Sequence, residues 1–343
     1  LFGKTIYTKT DEKGEYILEG GSIDRINLGD SGYGGFYINV IPEIGSVYDV
    51  YVKIYDETLL NRKISGEFKY SSDVSKDIDF EESFYYEDEY FLTSTNEYNH
   101  GLSIISLSLA MAAYRSNETT YENQSRNVKN LLEDLAFKEF DTNDFYKEKP
   151  GTDTIGVAAA NKKIMLDNKI YTLLAVVIRG GNYESEWAGN FNVGYTGQHK
   201  GFSTAKNEVL DFLRSYIKRY GINRNTKLWI TGYSRGAATA NLVAAELNNG
   251  AIELFNKSNI YAYCFEFPAG ALMEEIKDPE VYSNIFNILN HNDAVTKVAP
   301  AAEGFGFGRY GKDCYLPSPV ISGDDYTKLL VSMENEYNKI QSI

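Results

Sequence analysis

Ser234 lies in Gly232-Tyr-Ser-Arg-Gly236, a spacing that suits a serine to nucleophilic chemistry because of what flanks it. Lys227-Leu-Trp-Ile-Thr231 precedes it, short, apolar, with β-branched and aromatic residues. Ala237 to Leu247 follows, rich in helix formers and free of Gly and Pro. Strand, Gly-x-Ser-x-Gly, helix is the context of a nucleophile elbow. So tight a turn brings strand and helix together, and glycines two residues either side of the serine remove the Cβ atoms that would collide. The hydroxyl then stands at the carboxyl end of the strand, and the backbone N–H of Arg235 faces a developing oxyanion. In a chain with 29 glycines the competing reading is an ordinary tight turn, and both flanks favour the catalytic one.

A serine hydroxyl attacks poorly until a base takes its proton, and the base needs an acid to fix its tautomer. Asp293 is the candidate acid. It follows Ile285 to Leu289, read as the next-but-one strand after the elbow, and so emerges at the same sheet edge as Ser234. The competing role is a turn-forming Asp in Asn-Asp. Asp278, Asp313, Asp324 and Asp325 lie in loop-like contexts. The histidines are His100, His199 and His291, and none follows Asp293. His291 is too close in sequence to bridge Asp293 to Ser234, and His100 breaks the Ser, acid, His order.

Residues 83–343 alternate helix and strand signals. Leu102 to Tyr114, Val128 to Phe137 and Ser203 to Tyr220 read as helices, the last stopped by Gly221. Ile155 to Ile164 and Ile170 to Ile178 read as paired strands; the elbow strand, Ile260 to Phe267 and Ile285 to Leu289 add three more. This order predicts an α/β fold, a mostly parallel sheet with helices on both faces. Residues 1–82 differ: segments such as Glu15 to Leu18, Gly35 to Ile41, Val47 to Tyr55 and Gly66 to Tyr70 alternate in character between Gly, Asp, Asn and Ser clusters. They predict a small β-rich accessory region, a β-sandwich or cap. The acidic run Glu81 to Glu89 reads as a solvated junction.

Composition narrows the class. With 43% hydrophobic and 14% aromatic residues the chain can fill a core, and a net charge of −14 opposes nucleic-acid and anionic-lipid binding. The acidic composition and the first residue, Leu1, fit a processed enzyme that is secreted or at the cell surface. Cys264 and Cys314 read as free thiols.

Four further motifs in order give the chain a family resemblance over roughly residues 99–302. Val177-Ile-Arg-Gly-Gly181, Glu186-Trp187, His199-Lys-Gly-Phe202 and Asn290-His-Asn-Asp293 surround the elbow. The chain resembles the class 3 (fungal-type) lipases, in particular bacterial relatives with Arg in the elbow. The resemblance implies an α/β-hydrolase fold and hydrolysis of carboxylic esters, often acyl lipids, with no cofactor or metal. It makes Gly181 the second oxyanion donor beside Arg235, through its N–H alone, since this position in the family often carries Ser or Thr. It makes His199 a buttress of the fold and Asn182 to Phe191 a lid that partly covers Ser234, with Trp187 packing inward or facing the acyl site, and it implies contact of the protein with a lipid interface. The family's base follows the acid by several dozen residues, so the expectation is a base beyond Ile343. The resulting expectation is a serine ester hydrolase acting through an acyl-enzyme on Ser234, with Asp293 as acid. The alternative is a weak or inactive binding or surface protein on a hydrolase scaffold, favoured by the missing histidine and by Gly181.

Overall fold

The structure is a computed structural model and describes residues 26–27, 37–38, 62–71, 79–113, 125–146, 151–167, 169–181, 189–190, 192–194, 197–276, 278–293, 295–297, 306–317 and 328. Two compact units divide between Leu60 and Asn61. In the first, β1 (Ile26–Asn27) pairs antiparallel with β2 (Tyr37–Ile38). The strands expected at 15–18 and 47–55 lie outside the described residues.

The second unit opens with an antiparallel hairpin, β3 (Lys63–Ser71) and β4 (Asp79–Glu87). Then come α1 (His100–Ala112), α2 (Arg126–Asp134) and β5 (Lys138–Thr142). Strands β6 (Val157–Leu166) and β7 (Lys169–Ile178) form the expected pair, antiparallel and reversed beside Asp167 at φ +47°. Next are α3 (Lys200–Tyr220), β8 (Thr226–Tyr233), α4 (Arg235–Asn248) and β9 (Ile260–Phe265). The chain continues through β10 (Ala271–Leu272), β11 (Ile285–Leu289), β12 (Phe307–Gly308) and β13 (Lys312–Tyr315).

Seven strands make one sheet in the order β13-β11-β9-β8-β7-β6-β5. The five from β13 to β7 are parallel, and β6 and β5 complete one edge antiparallel. β8, which carries the elbow, lies at the centre of the sheet. Strand residues alternate between two cores, as a period of two requires. Leu174, Val176, Ile178, Leu228, Ile230, Ala262 and Cys264 face α3 and α4. Leu173, Ala175, Val177, Trp229, Tyr261 and Tyr263 face α1, α2 and β4. The mostly parallel sheet with helices on both faces is therefore observed.

Helix α3 buries Phe202, Ala205, Val209, Leu210, Leu213 and Tyr216 at helical spacing. It ends where Gly221 turns left-handed at φ +61° and donates its N–H to Ile217. Helix α4 is buried almost all round, which its alanines permit, since small side chains let a helix approach the sheet closely.

The acidic run departs from its reading as a solvated junction. Alternate residues of β4 and the turn after it, Phe84, Tyr86 and Asp88, point into the core. The boundary read near residue 82 thus falls within a strand that packs with the second unit. Asp88 is 2% exposed; it accepts from Lys162 Nζ at 2.7 Å and from the Tyr86 hydroxyl at 2.7 Å. Lys162 also donates to the Leu135 carbonyl at 3.1 Å and lies over the Tyr86 ring at 4.3 Å. Burial pushes the Lys162 amine down to about 8 against the pull of Asp88.

A buried pair is more costly to halve than to remove. Asp88→Ala is expected to lower the unfolding free energy by about 3–5 kcal/mol in urea titrations, and adding Lys162→Met to recover most of that loss.

Candidate active site

Ser234 is the strained point of the backbone, with φ +53° and ψ −128° at the junction of β8 and α4. A non-glycine residue takes such a conformation only when its surroundings enforce it. Here they do. The Ser234 N–H donates to the Phe265 carbonyl at 2.9 Å, and the Ser234 carbonyl accepts from Ala237 and Ala238 at 2.9 and 3.0 Å. A Cβ on Gly232 would lie 2.6 Å from the Gly236 carbonyl carbon. A Cβ on Gly236 would meet the Ile178 carbonyl oxygen within clashing distance and the Arg179 carbonyl oxygen at 2.7 Å. The two glycines therefore let strand, helix and the end of β7 touch through bare backbone.

That contact brings the loop after β7 to the first turn of α4. Arg179, Gly180 and Gly181 leave β7 there, and Arg179 donates its N–H to the Gly156 carbonyl at 3.0 Å. Ser234 itself is 8% exposed. The segment read as a lid, with Glu186 and Trp187, lies outside the described residues apart from Gly189 and Asn190.

The Arg235 side chain has a structural place that its sequence position did not suggest. Fully buried, its guanidinium donates to Asn190 Oδ1 at 3.2 Å and to the Thr152 and Thr154 carbonyls at 3.3 Å each, and it lies over the Phe202 ring at 5.7 Å. It thus ties the start of α4 to the 152–154 turn and to residue 190. Glu208 on α3 lies near this cation, yet burial pushes its carboxyl up to about 7.

Asp293 stands in the turn after β11, at the same carboxyl edge as Ser234. Its Oδ1 accepts from the Val295 N–H at 2.8 Å, and its carbonyl accepts from Thr296 Oγ1 at 2.8 Å. Between the two positions lies one peptide unit. The Phe265 carbonyl accepts from Ser234, and the Glu266 N–H donates to the Ile288 carbonyl at 3.0 Å. Glu266 takes φ +42°. Its Oε2 accepts from the Asn290 N–H at 2.9 Å, and its carboxyl lies beside that of Asp293. Burial, with Asp293 beside it, raises the Glu266 carboxyl to about 7, against the lowering pull of the Asn290 N–H and Arg309. Glu266 went unread because it stands inside the apolar run Ile260 to Phe267. A lone carboxylate in such a run, beside the elbow strand, was the available signal.

Among the described residues no histidine hydrogen-bonds to Ser234. His199 is fully buried, donates Nε2–H to the Asn190 carbonyl at 3.0 Å and stacks on Phe202 at 4.0 Å. Burial lowers its pKa, so the ring is neutral. His291 is exposed and stacks on Tyr315 at 4.0 Å; His100 is exposed at the start of α1, beside the Tyr98 hydroxyl at 3.4 Å. Cys264 and Cys314 are free thiols.

The family model described as lipase (class 3) matches residues 124–303. No curated protein matches by sequence. A fungal lipase–inhibitor complex is 24% identical, over 46% of this chain and 60% of that one, with a TM-score of 0.37. The Rhizomucor miehei lipase–propeptide complex is 22% identical over 53% and 57%, TM-score 0.37, and the lipase of Rhizopus microsporus var. chinensis 17% over 65% and 77%, TM-score 0.44. The chain thus spans under two thirds of the length of the first two.

Overpacking this junction is expected to act on stability before chemistry. Gly232→Ala and Gly236→Ala should each lower the unfolding free energy by about 1–3 kcal/mol or more, while Gly151→Ala should stay within about 0.5 kcal/mol. A Cβ at Gly151 would meet its nearest atoms only at 3.8 Å. Chemical denaturation of the three variants checks this.

Proposed function

The chain belongs to the class 3 lipase family, and from that premise we propose that it hydrolyses carboxylic esters of lipids with Ser234 as nucleophile. One observation carries the assignment: the enforced left-handed backbone of Ser234 between two glycines that admit no side chain. In this reading the Ser234 hydroxyl oxygen attacks the ester carbonyl carbon as a histidine base takes its proton. The oxyanion accepts from the backbone N–H groups of Arg235 and Gly181, aided by the positive end of α4. Collapse expels the alcohol with the proton returned by the base and leaves an acyl-serine. Water, deprotonated by the same base, attacks the acyl carbon and restores Ser234.

Asp293 is the acid of this proposal, supported by its place in the turn two sheet positions from β8. None of the three histidines is assigned as the base: His199 is committed to the Asn190 carbonyl, and His100 and His291 are exposed and bonded or stacked elsewhere. Ester lipids at an interface are the proposed substrate class, and a secreted or surface location goes with it.

The test is covalent labelling of the full gene product with a fluorophosphonate, followed by peptide mapping. Modification at Ser234, lost in Ser234→Ala, is the expected outcome, together with turnover of short p-nitrophenyl esters that falls by roughly 10⁴-fold or more in the same variant. Labelling elsewhere that survives Ser234→Ala would overturn the nucleophile. A folded gene product that neither labels nor turns over esters would favour the binding-protein alternative.

A further inference from the structure

Two backbone contacts and one side-chain contact lead from Ser234 to the turn of Asp293 by way of a second carboxyl group. Ser234 N–H meets the Phe265 carbonyl, the following N–H meets β11 at Ile288, and the Glu266 side chain then reaches over the end of β11 to take the Asn290 N–H at 2.9 Å. Asn290 opens the turn that carries the acid: its carbonyl accepts from the Asp293 N–H at 3.1 Å, and its Oδ1 from the Asn292 N–H at 3.0 Å. Glu266 thus holds this turn by its first residue through one oxygen, with its carboxyl beside that of Asp293 at the turn's last residue.

A hydrogen bond between two carboxyl groups needs one of them protonated, as the donor. The surroundings decide which. Asp293 Oδ1 already accepts the Val295 N–H, a bond that favours a carboxylate. Glu266 is half-buried at the end of β9, where desolvation favours the neutral acid. Arg309 is the cation facing the pair, but its guanidinium is turned to backbone: Nη2 donates to the Phe267 carbonyl at 2.8 Å and to the Thr296 carbonyl at 2.6 Å. Its nearest carboxylate is Asp313 at 3.9 Å. Arg309 therefore ties the residue after Glu266 to the turn after Asp293. His291 is stacked on Tyr315 and Lys297 is exposed.

We propose that Glu266 is the positioning residue of the acid: its protonated carboxyl donates a hydrogen bond to Asp293 and aims the remaining lone pairs of Asp293 at the base. The proposal rests on the reading of Ser234 and Asp293 as ester-hydrolase residues. Glu266 touches no substrate. It acts by fixing the rotamer of Asp293, whose Oδ1 also accepts from the Val295 N–H. When Glu266 ionises, the donor is lost and two like charges face each other, so Asp293 turns away and the base loses its orientation.

The sign follows from the raised Glu266 value. An acid whose folded-state pKa lies above its unfolded value stabilises the fold below the unfolded value and loses that contribution as pH rises through about 7. Stability should therefore fall as pH rises from the ordinary glutamate value to about 7 and level off above it, while the rate falls as pH rises through about 7.

The experiment uses the full gene product, with Glu266→Gln, Glu266→Ala and Asp293→Asn, and two readouts. Carboxyl ¹³C NMR of Glu-labelled protein, the signal assigned by its loss in Glu266→Gln, follows the Glu266 titration without any need for activity. kcat/KM for p-nitrophenyl butyrate across pH 5–9 follows the effect on chemistry. Glu266 is expected to titrate near pH 7 and to fall toward the ordinary glutamate range in Asp293→Asn. The wild-type rate should drop at least tenfold above that titration. Glu266→Gln, whose amide donates at every pH, should keep the rate at pH 6 within about threefold and lack the alkaline decline. Glu266→Ala should lose tenfold or more throughout. A Glu266 titration below pH 5, or matching profiles for wild type, Gln and Ala, would overturn the proposal while Ser234-dependent turnover left the hydrolase reading standing. A raised Glu266 titration without turnover or Ser234 labelling would instead remove that reading and leave only the hydrogen-bonded pair.

Discussion

The left-handed turn at Ser234 is the constraint that the rest of the second unit is arranged around. A serine at φ +53° and ψ −128° carries strain of about 1–3 kcal/mol, so it survives only where the chain on both sides is fixed. β8 supplies one side from the middle of the sheet, bonded to parallel neighbours on both edges. α4 supplies the other, and it can lie against β8 and the end of β7 because Gly232 and Gly236 present no side chain. The strain is useful. It turns the hydroxyl away from the strand and sets the first N–H groups of α4 beside the loop that leaves β7.

Precision at this edge comes from backbone groups held by buried side chains. Arg235 reaches from the helix that follows Ser234 to residues 152, 154 and 190. Arg309 does the same on the Asp293 side, between residues 267 and 296. A guanidinium suits both tasks, since its planar fork can satisfy two carbonyls at once and it stays charged when partly desolvated. The peptide between Phe265 and Glu266 joins the two halves, so a displacement of β9 would move Ser234 and the Asp293 turn together.

What could be read from the sequence was periodicity and short-range steric demand. The β6–β7 pair, α3 with its glycine stop, and β11 follow from alternation, helical spacing and turn residues. The elbow follows from the need for glycine where strand and helix touch. What could not be read was partnership at long range. Glu81 to Glu89 has the composition of a solvated run, yet Asp88 is buried because Lys162, 74 residues later, comes to meet it. Charge alone does not reveal that. Glu266 was hidden for the opposite reason: it breaks an apolar run by one residue, and only the pairing of β9 with β11 brings it to Asp293. The Arg235 side chain was equally silent, since its anchors come from two separate turns.

The histidines separate what this edge fixes from what it requires. His199 is central enough to attract a catalytic role, but its Nε2–H belongs to the Asn190 carbonyl, its ring is stacked on Phe202, and its buried Nδ1 has no hydrogen-bond partner. Charging that ring would place a cation near Arg235, which burial opposes, so its chemistry is suppressed in favour of packing. Strain, oxyanion donors and acid orientation are all matters of backbone placement, and they can be built from β7, β8, β9 and β11 without a base present. Proton transfer is different, because it needs one side chain with a pKa near the working pH within hydrogen-bond reach of Ser234. On the proposed reading, ester turnover is therefore governed by the group that completes the line from Asp293 to Ser234.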